Sequence, residues 1–182
     1  ILAVPCAYKG TLTIPSTVIT LNSEILANVK GIDNIVYDDQ ADLFFDGYVL
    51  YNANKTRVIK AFNLKGTYEM PELVETIDRY AFADLDELED VKFSPNVTEI
   101  TYYSFYDCDA LEAVELPGSV TAIGTAAFEN CDSLKSVNFN EGLTRIECRA
   151  FQESGIESVV FPSTLEELDY GIFWSCENLK SV

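Results

Sequence analysis

Residues 97–119 read Val97-Thr-Glu-Ile-Thr-Tyr-Tyr-Ser-Phe-Tyr-Asp-Cys-Asp-Ala-Leu-Glu-Ala-Val-Glu-Leu-Pro-Gly-Ser119, and the next 23 residues repeat their pattern. Val97, Ile100, Phe105, Cys108, Leu111, Val114 and Leu116 are answered by Val120, Ile123, Phe128, Cys131, Leu134, Val137 and Phe139. A fixed period of this length is the signature of a solenoid, in which no single repeat can bury its own apolar face.

Spacing within one copy predicts the shape of a coil. Val114 and Leu116 stand two apart, as inward neighbours on a strand must, with Glu115 between them pointing out. Pro117 has no amide to donate and ends that strand. Val120 and Ile123 make a second short extended piece. Phe128, Cys131 and Leu134 step by three, which predicts one helical turn aimed at the core.

The pattern runs both ways from this stretch. Downstream it continues through Leu143, Ile146, Phe151, Ile156 and Val159, with one residue lost after Ser154, and then through Leu165, Leu168, Phe173, Cys176, Leu179 and Val182. Upstream it holds at Val74, Ile77, Phe82, Leu88 and Val91, and again at Val18, Leu21, Leu26, Ile32 and Ile35. The inward strand pairs are Leu12/Ile14, Ile35/Tyr37, Tyr68/Met70, Val91/Phe93, Val114/Leu116, Val137/Phe139 and Val159/Phe161. They predict a parallel sheet in a right-handed α/β solenoid, because parallel crossovers are overwhelmingly right-handed.

One coil is irregular, over residues 41–66. Gly47-Tyr-Val-Leu-Tyr51 and Arg57-Val-Ile-Lys-Ala-Phe62 are β-rich runs joined by Asn52-Ala-Asn-Lys-Thr56, a hairpin signal. Lys65-Gly-Thr-Tyr-Glu-Met-Pro71 then restores the repeat, as Lys9-Gly-Thr-Leu-Thr-Ile-Pro15 does after Ile1-Leu-Ala-Val4. With no linker in sight, residues 1–182 read as one domain. The chain starts in mid-pattern, so it reads as a piece of a longer array whose uncapped ends favour self-association.

Composition narrows the function. A net charge of −18 repels phosphate backbones, so nucleic acid is a poor partner. No apolar run is long enough to span a bilayer. Without histidine there is neither a Ser-His nor a Cys-His nucleophile pair, and no Gly-rich phosphate loop occurs. The five cysteines contain no C-x-x-C pair, and the acidic runs at 38–39 and 84–90 match no calcium loop, so no metal or cofactor is expected. The inward slot shared by Cys108, Cys131 and Cys176 reads most simply as small core thiols, a Cys108–Cys131 disulfide being the alternative. The sequence therefore describes a non-enzymatic chain.

Two sets of residues are candidates for binding. The outward positions of the main sheet form a stripe, Thr13, Val36, Glu69, Lys92, Glu115, Asn138 and Val160. Strands about 4.8 Å apart make it roughly 30 Å long, the kind of face on which solenoids bind. The second set is aromatic, Tyr102, Tyr103, Tyr106, Tyr170 and Trp174, in variable slots near the predicted helical turn. Tyr and Trp serve both as interface anchors and as sugar-stacking platforms.

The phrases Val120-Thr-Ala-Ile-Gly124 and Ala127-Phe-Glu-Asn-Cys-Asp-Ser-Leu-Lys-Ser-Val-Asn-Phe139 resemble the BspA-type leucine-rich repeat. Asp46-Gly-Tyr-Val-Leu-Tyr-Asn52 resembles an irregular coil frequent in that family. Departures are Leu26 in the Phe slot, the lost residue near Gly155 and the shifted proline of Ser94-Pro95. The resemblance implies large, mostly secreted or surface-anchored proteins of host-associated bacteria and some protists. It also implies adhesion to host matrix proteins or to other microbes, with no catalytic residues to carry over. Three readings follow: a surface scaffold binding protein, a glycan-binding module using the Tyr/Trp set, and a passive spacer.

Overall fold

The computed structural model describes residues 10–18, 20–39 and 41–182. Ile1, Cys6 and the proposed hairpin tail before Gly10 lie outside the described residues.

The strand segments pair in parallel, one coil to the next. Gly10–Thr13 pairs with Ile32–Val36, Gly66–Glu69 with Leu88–Lys92, and Ala113–Glu115 with Ser136–Asn138. An isolated parallel bridge from Ser158 to Ser181 extends this face by another coil. The inward alignment is residue for residue: Leu12 beside Ile35, Tyr68 beside Val91, Val114 beside Val137. A second parallel ladder joins Glu99–Ile100, Ala122–Ile123, Arg145–Ile146 and Glu167–Leu168 on another side of the coil.

Between these ladders lies the corner where the spacing by three predicts a helical turn. Phe128, Cys131 and Leu134 all reach the core there, but the backbone is a run of turns. Ser23–Leu26, a 3-10 turn, is the only helix among the described residues. The cause is the residues two before and two after each Phe, which sit at positive φ: Tyr103 and Asp107 at 52° and 59°, Ala126 and Asn130 at 54° and 60°, Arg149 and Glu153 at 57° and 54°. A left-handed residue costs an L-amino acid roughly 1–2 kcal/mol and breaks any helix. Here it turns alternate N–H groups out of the coil and onto the next one. Phe105 donates to the Ala127 carbonyl at 2.9 Å and Phe128 to Ala150 at 2.8 Å. On either side, Tyr103 donates to Thr125 and Asp107 to Glu129, both at 3.0 Å. The corner is a third ladder.

Under it the Phe rings stack. Phe82, Phe105, Phe128, Phe151 and Phe173 form one column with centroids 4.8, 5.2, 5.4 and 5.7 Å apart and planes within 15° of parallel. The first four rings are fully buried, and Phe173 is half-buried. Where the period shortens by one residue, Gly155 closes the coil: a Cβ there would collide with the Asp132 carbonyl.

The insert is an antiparallel meander of Phe44–Phe45, Val49–Tyr51 and Arg57–Ala61. Its last strand pairs in parallel with Thr76–Ile77 and so takes the place of a coil's second strand. The main sheet is interrupted here, between Ile32–Val36 and Gly66–Glu69. The insert is a wall with a core on each side. Leu50, Ile59 and Phe62 pack with Leu12, Leu26, Ile32 and Ile35, while Val49, Tyr51, Val58 and Ala61 pack with the core that runs on to Phe151. Alternation along a strand places neighbours on opposite faces, which is how one hairpin serves two cores.

Lys60 is the unexpected member of this wall. It is 1 % exposed, and its Nζ donates to the carbonyls of Tyr80 and Ala83 at 2.8 and 2.9 Å. In regular coils the carbonyl equivalent to Ala83, such as Tyr106 or Glu129, accepts an N–H from the preceding coil. The hairpin offers no such N–H, and the ammonium stands in for it. Burial lowers its pKa to about 8.

Candidate binding faces

Every residue of the main-sheet stripe points outward. Thr13 lies beside Val36, Glu69 beside Lys92, and Glu115 beside Asn138, all exposed. Val160 is 85 % exposed. The structure brings these residues into register as separate pairs rather than along one continuous sheet: the insert divides Val36 from Glu69, and the strand pairing also lapses between Lys92 and Glu115. Two shallow depressions of about 310 and 350 Å³ lie along this face, one bordered by Lys92, Glu115 and Pro117, the other by Asn138, Val160 and Pro162.

The aromatic set divides in two. Tyr102, Tyr103 and Tyr106 form a contiguous cluster, Tyr103 meeting Tyr102 at 4.4 Å and Tyr106 at 5.4 Å, both edge to face. Tyr80 completes it, stacked on Tyr103 at 5.0 Å with planes 5° apart. The sequence reading missed Tyr80, although it stands two residues before Phe82 as Tyr103 does before Phe105. Burial, with Tyr102 alongside, pushes the Tyr103 hydroxyl up to about 12. The Arg79 guanidinium lies 5.5 Å from the Tyr102 ring.

Tyr170 and Trp174 stand apart from that cluster, 65 % and 59 % exposed. The Arg149 guanidinium lies 5.9 Å from the Trp174 ring. One column connects the two aromatic ends. The residues following Phe105, Phe128, Phe151 and Phe173 of the core stack are Tyr106, Glu129, Gln152 and Trp174 on successive coils, Ala83 following Phe82. Gln152 Nε2 donates to Glu129 Oε1 at 3.3 Å, and Asn130 Nδ2 donates to the Tyr106 hydroxyl at 3.2 Å. The column is aromatic, carboxylate, amide, aromatic.

The cysteine slot has a bonding role. Cys108 Sγ donates to the Phe82 carbonyl at 3.1 Å, Cys131 Sγ to Phe105 at 3.2 Å, and Cys176 Sγ to Phe151 at 2.9 Å. All three are free thiols. Burial pushes the Cys108 thiol up to about 12 and Cys131 well above its ordinary value. Cys148 is half-buried beside the Thr125 hydroxyl.

A surface concavity of about 440 Å³ was not foreseen. It lies at the seam between Ser23–Leu26 and the insert, lined by Glu24, Arg57, Asp78 and Arg79 among others. Arg57 holds Asp78 through two bonds of 2.7 and 2.6 Å, and Arg79 reaches Glu24 at 3.2 Å, so its cations are already paired. Among the described residues, no group of three or more Cys, Asp or Glu is arranged to hold a metal. Lys30 bridges Asp84 and Asp86 at 3.1 and 3.7 Å.

A model of the BspA type leucine rich repeat region matches residues 59–180 in six copies. The chain belongs to that family. No curated protein matches it. Among solved structures, a leucine-rich repeat protein of T. pallidum is 26 % identical with a TM-score of 0.61, over 66 % of this chain and 55 % of that one. A leucine-rich cell surface protein of Faecalibacterium prausnitzii is 19 % identical with a TM-score of 0.54, over 79 % and 55 %. The pneumococcal vaccine antigen PcpA is 18 % identical with a TM-score of 0.57, over 88 % and 50 %. This BspA-type chain thus spans about half the length of these relatives. Their shared fold is a solenoid of parallel ladders with almost no helix.

Proposed function

We propose that this chain is a non-catalytic binding scaffold, secreted or displayed on a bacterial surface, whose main-sheet face takes a protein partner such as a host matrix protein or another microbe's surface protein. The observation that carries the reading is the outward register of the stripe, exposed at every strand while its inward neighbours are buried or half-buried. Such a face can be varied freely without disturbing the core beneath it. The relatives described as a cell surface protein and as a vaccine antigen support an exposed location. The absence of histidine and thiols held far from thiolate support a role without chemistry.

Biolayer interferometry against purified fibronectin, fibrinogen, laminin and collagen, and against whole bacterial cells, tests the proposal. Saturable binding is expected to at least one of them, weakened roughly tenfold or more by Asn138→Arg with Val160→Arg. Binding unchanged by that pair would remove the main-sheet face from the proposal. No saturable binding to any of these probes would favour a spacer.

A further inference from the structure

The column Tyr106, Glu129, Gln152 and Trp174 is built from a position that the core does not need. Each residue follows a Phe of the buried stack, and each remains at least partly exposed. The coils that carry them step by 5.2, 5.4 and 5.7 Å between the Phe rings beneath. Its chemistry runs opposite to that of a protein-binding patch. Protein interfaces put aromatic anchors at a dry centre and polar groups at the rim. Here the aromatic rings stand at the two ends, and planar hydrogen-bonding groups fill the middle.

From this order we infer that the corner is a second binding site, for a neutral β-linked oligosaccharide lying along the column. A pyranose ring presents a C–H face that stacks on an aromatic ring, and equatorial hydroxyls that planar amides and carboxylates bind in pairs. A β-linked chain advances by close to one coil spacing per ring, so successive sugars meet successive coils. Trp174 supplies the clearest platform: Arg149 lies against its ring, and the side chain is 59 % exposed. Tyr106 is steadied at the other end by Tyr103 and Asn130.

The middle of the column retains unused capacity. Glu129 Oε2 and Gln152 Oε1 have no protein partner. Both oxygens are buried, and turning either one toward a sugar hydroxyl exchanges the Gln152 Nε2–Glu129 Oε1 bond for bonds to the ligand. The charge of the chain selects against sulfated or sialylated sugars, with Glu129 and Glu153 both in this corner. The inference is independent of the main-sheet reading and can fail separately from it.

Trp174 is the single tryptophan of the chain, so its emission reports this site alone. The test is titration with cellohexaose, xylohexaose and chitohexaose, followed by tryptophan fluorescence and by calorimetry. Expected is a saturable emission change with at least one hexaose and weaker binding of the matching trisaccharide. Gln152→Ala and Tyr106→Ala should each weaken it roughly fivefold or more, while Asn138→Arg with Val160→Arg leaves it unchanged. Thermal melts establish that each variant is folded, and Trp174→Phe, which keeps a stacking ring, should retain calorimetric binding. Neither heat nor emission change with any hexaose overturns the inference. So does sugar binding that Gln152→Ala, Tyr106→Ala and Trp174→Ala all leave intact. Loss of a matrix protein's binding in Gln152→Ala, without sugar binding, assigns the corner to protein and overturns it as well.

Discussion

In the coils around Phe105 and Phe128, each inward side chain packs against its own counterpart one coil away. The strands Val49–Tyr51 and Arg57–Ala61 instead pack against two different cores at once. The regular region is stabilised by repetition. One good ring position, reused, gives a continuous stack and three hydrogen-bonded ladders. The insert is stabilised by facing two ways, Val49, Tyr51, Val58 and Ala61 serving one core and Leu50, Ile59 and Phe62 the other, and it needs special residues to finish what repetition supplies elsewhere. Lys60 donates where a coil's N–H is missing, and the Tyr51 and Tyr68 hydroxyls meet at 2.6 Å beside Asp46. A repeat protein can therefore host a foreign element mid-array if that element provides a second-ladder strand on one edge and an apolar face on each side.

The largest effect should come from breaking the repetition. Phe128→Ala removes a ring packed between two parallel neighbours in a site with no room to collapse, and a loss of about 3–5 kcal/mol is expected in urea melts. A loss below about 1 kcal/mol would mean the stack is not a structural column.

The wall should respond to pH in a way the regular coils do not. Lys60 titrates at about 8 when folded, against about 10.4 unfolded, so the unfolded chain binds more protons between those values. The Lys60 contribution to stability therefore rises with pH across that window, by roughly 2–3 kcal/mol between pH 8 and 10. The buried Cys108 and Cys131 thiols act in the opposite sense from about pH 8.5, and the tyrosines raised by burial above about pH 10, but all are common to wild type and Lys60→Met, so the difference between the two proteins isolates Lys60. Urea melts of both proteins at pH 7, 8, 9 and 10 measure it. Parallel curves would show that Lys60 is not buried as an ammonium.

The 23-residue period carried most of the regular region because burial there depends only on which residues recur. It placed the Phe column, the inward strand pairs and the exposed stripe. It could not reveal the conformation of the corner, since Tyr103, Ala126 and Arg149 share no side-chain chemistry that announces a left-handed backbone. Their common feature is where the N–H must point, and that is set by the next coil. The two-core wall was equally hidden. Its alternating apolar residues signal a strand buried on both faces without saying that the faces meet separate cores. As for the sites, the stripe followed from strand alternation, whereas Tyr106 and Trp174 were legible only as separate aromatics; the column joining them, one residue after Phe105, Phe128, Phe151 and Phe173, was hidden because its members differ in type.

A smaller test concerns the thiols. Cys131→Ala removes the sulfur's volume and the donor to the Phe105 carbonyl, and about 1–2 kcal/mol should be lost. In the native protein Ellman's reagent should label Cys148 well before Cys108 and Cys131, whose thiols are buried and held from ionising. Equal native rates would contradict the placement of these two in the core.

The smallest effect, and the sharpest probe of the two-core arrangement, lies at the seam. Lys30 to Asp84 and Asp86, and Arg79 to Glu24, cross from the first coils to the regular array. Apart from the Asp84 carboxylate these groups are well exposed, so each pair contributes about 0.2–1 kcal/mol and is screened by salt. Global melts would barely register Lys30→Gln. Local opening is more sensitive, because the core around Leu12, Ile32 and Ile35 is a separate cluster attached through the wall. Native-state hydrogen exchange should show the amides of Ile14 and Ile35 exchanging faster in Lys30→Gln, or in wild type at high salt, with those of Phe105 and Phe128 unchanged. If both groups of amides accelerate together, the wall does not divide the molecule, and the two cores open as one.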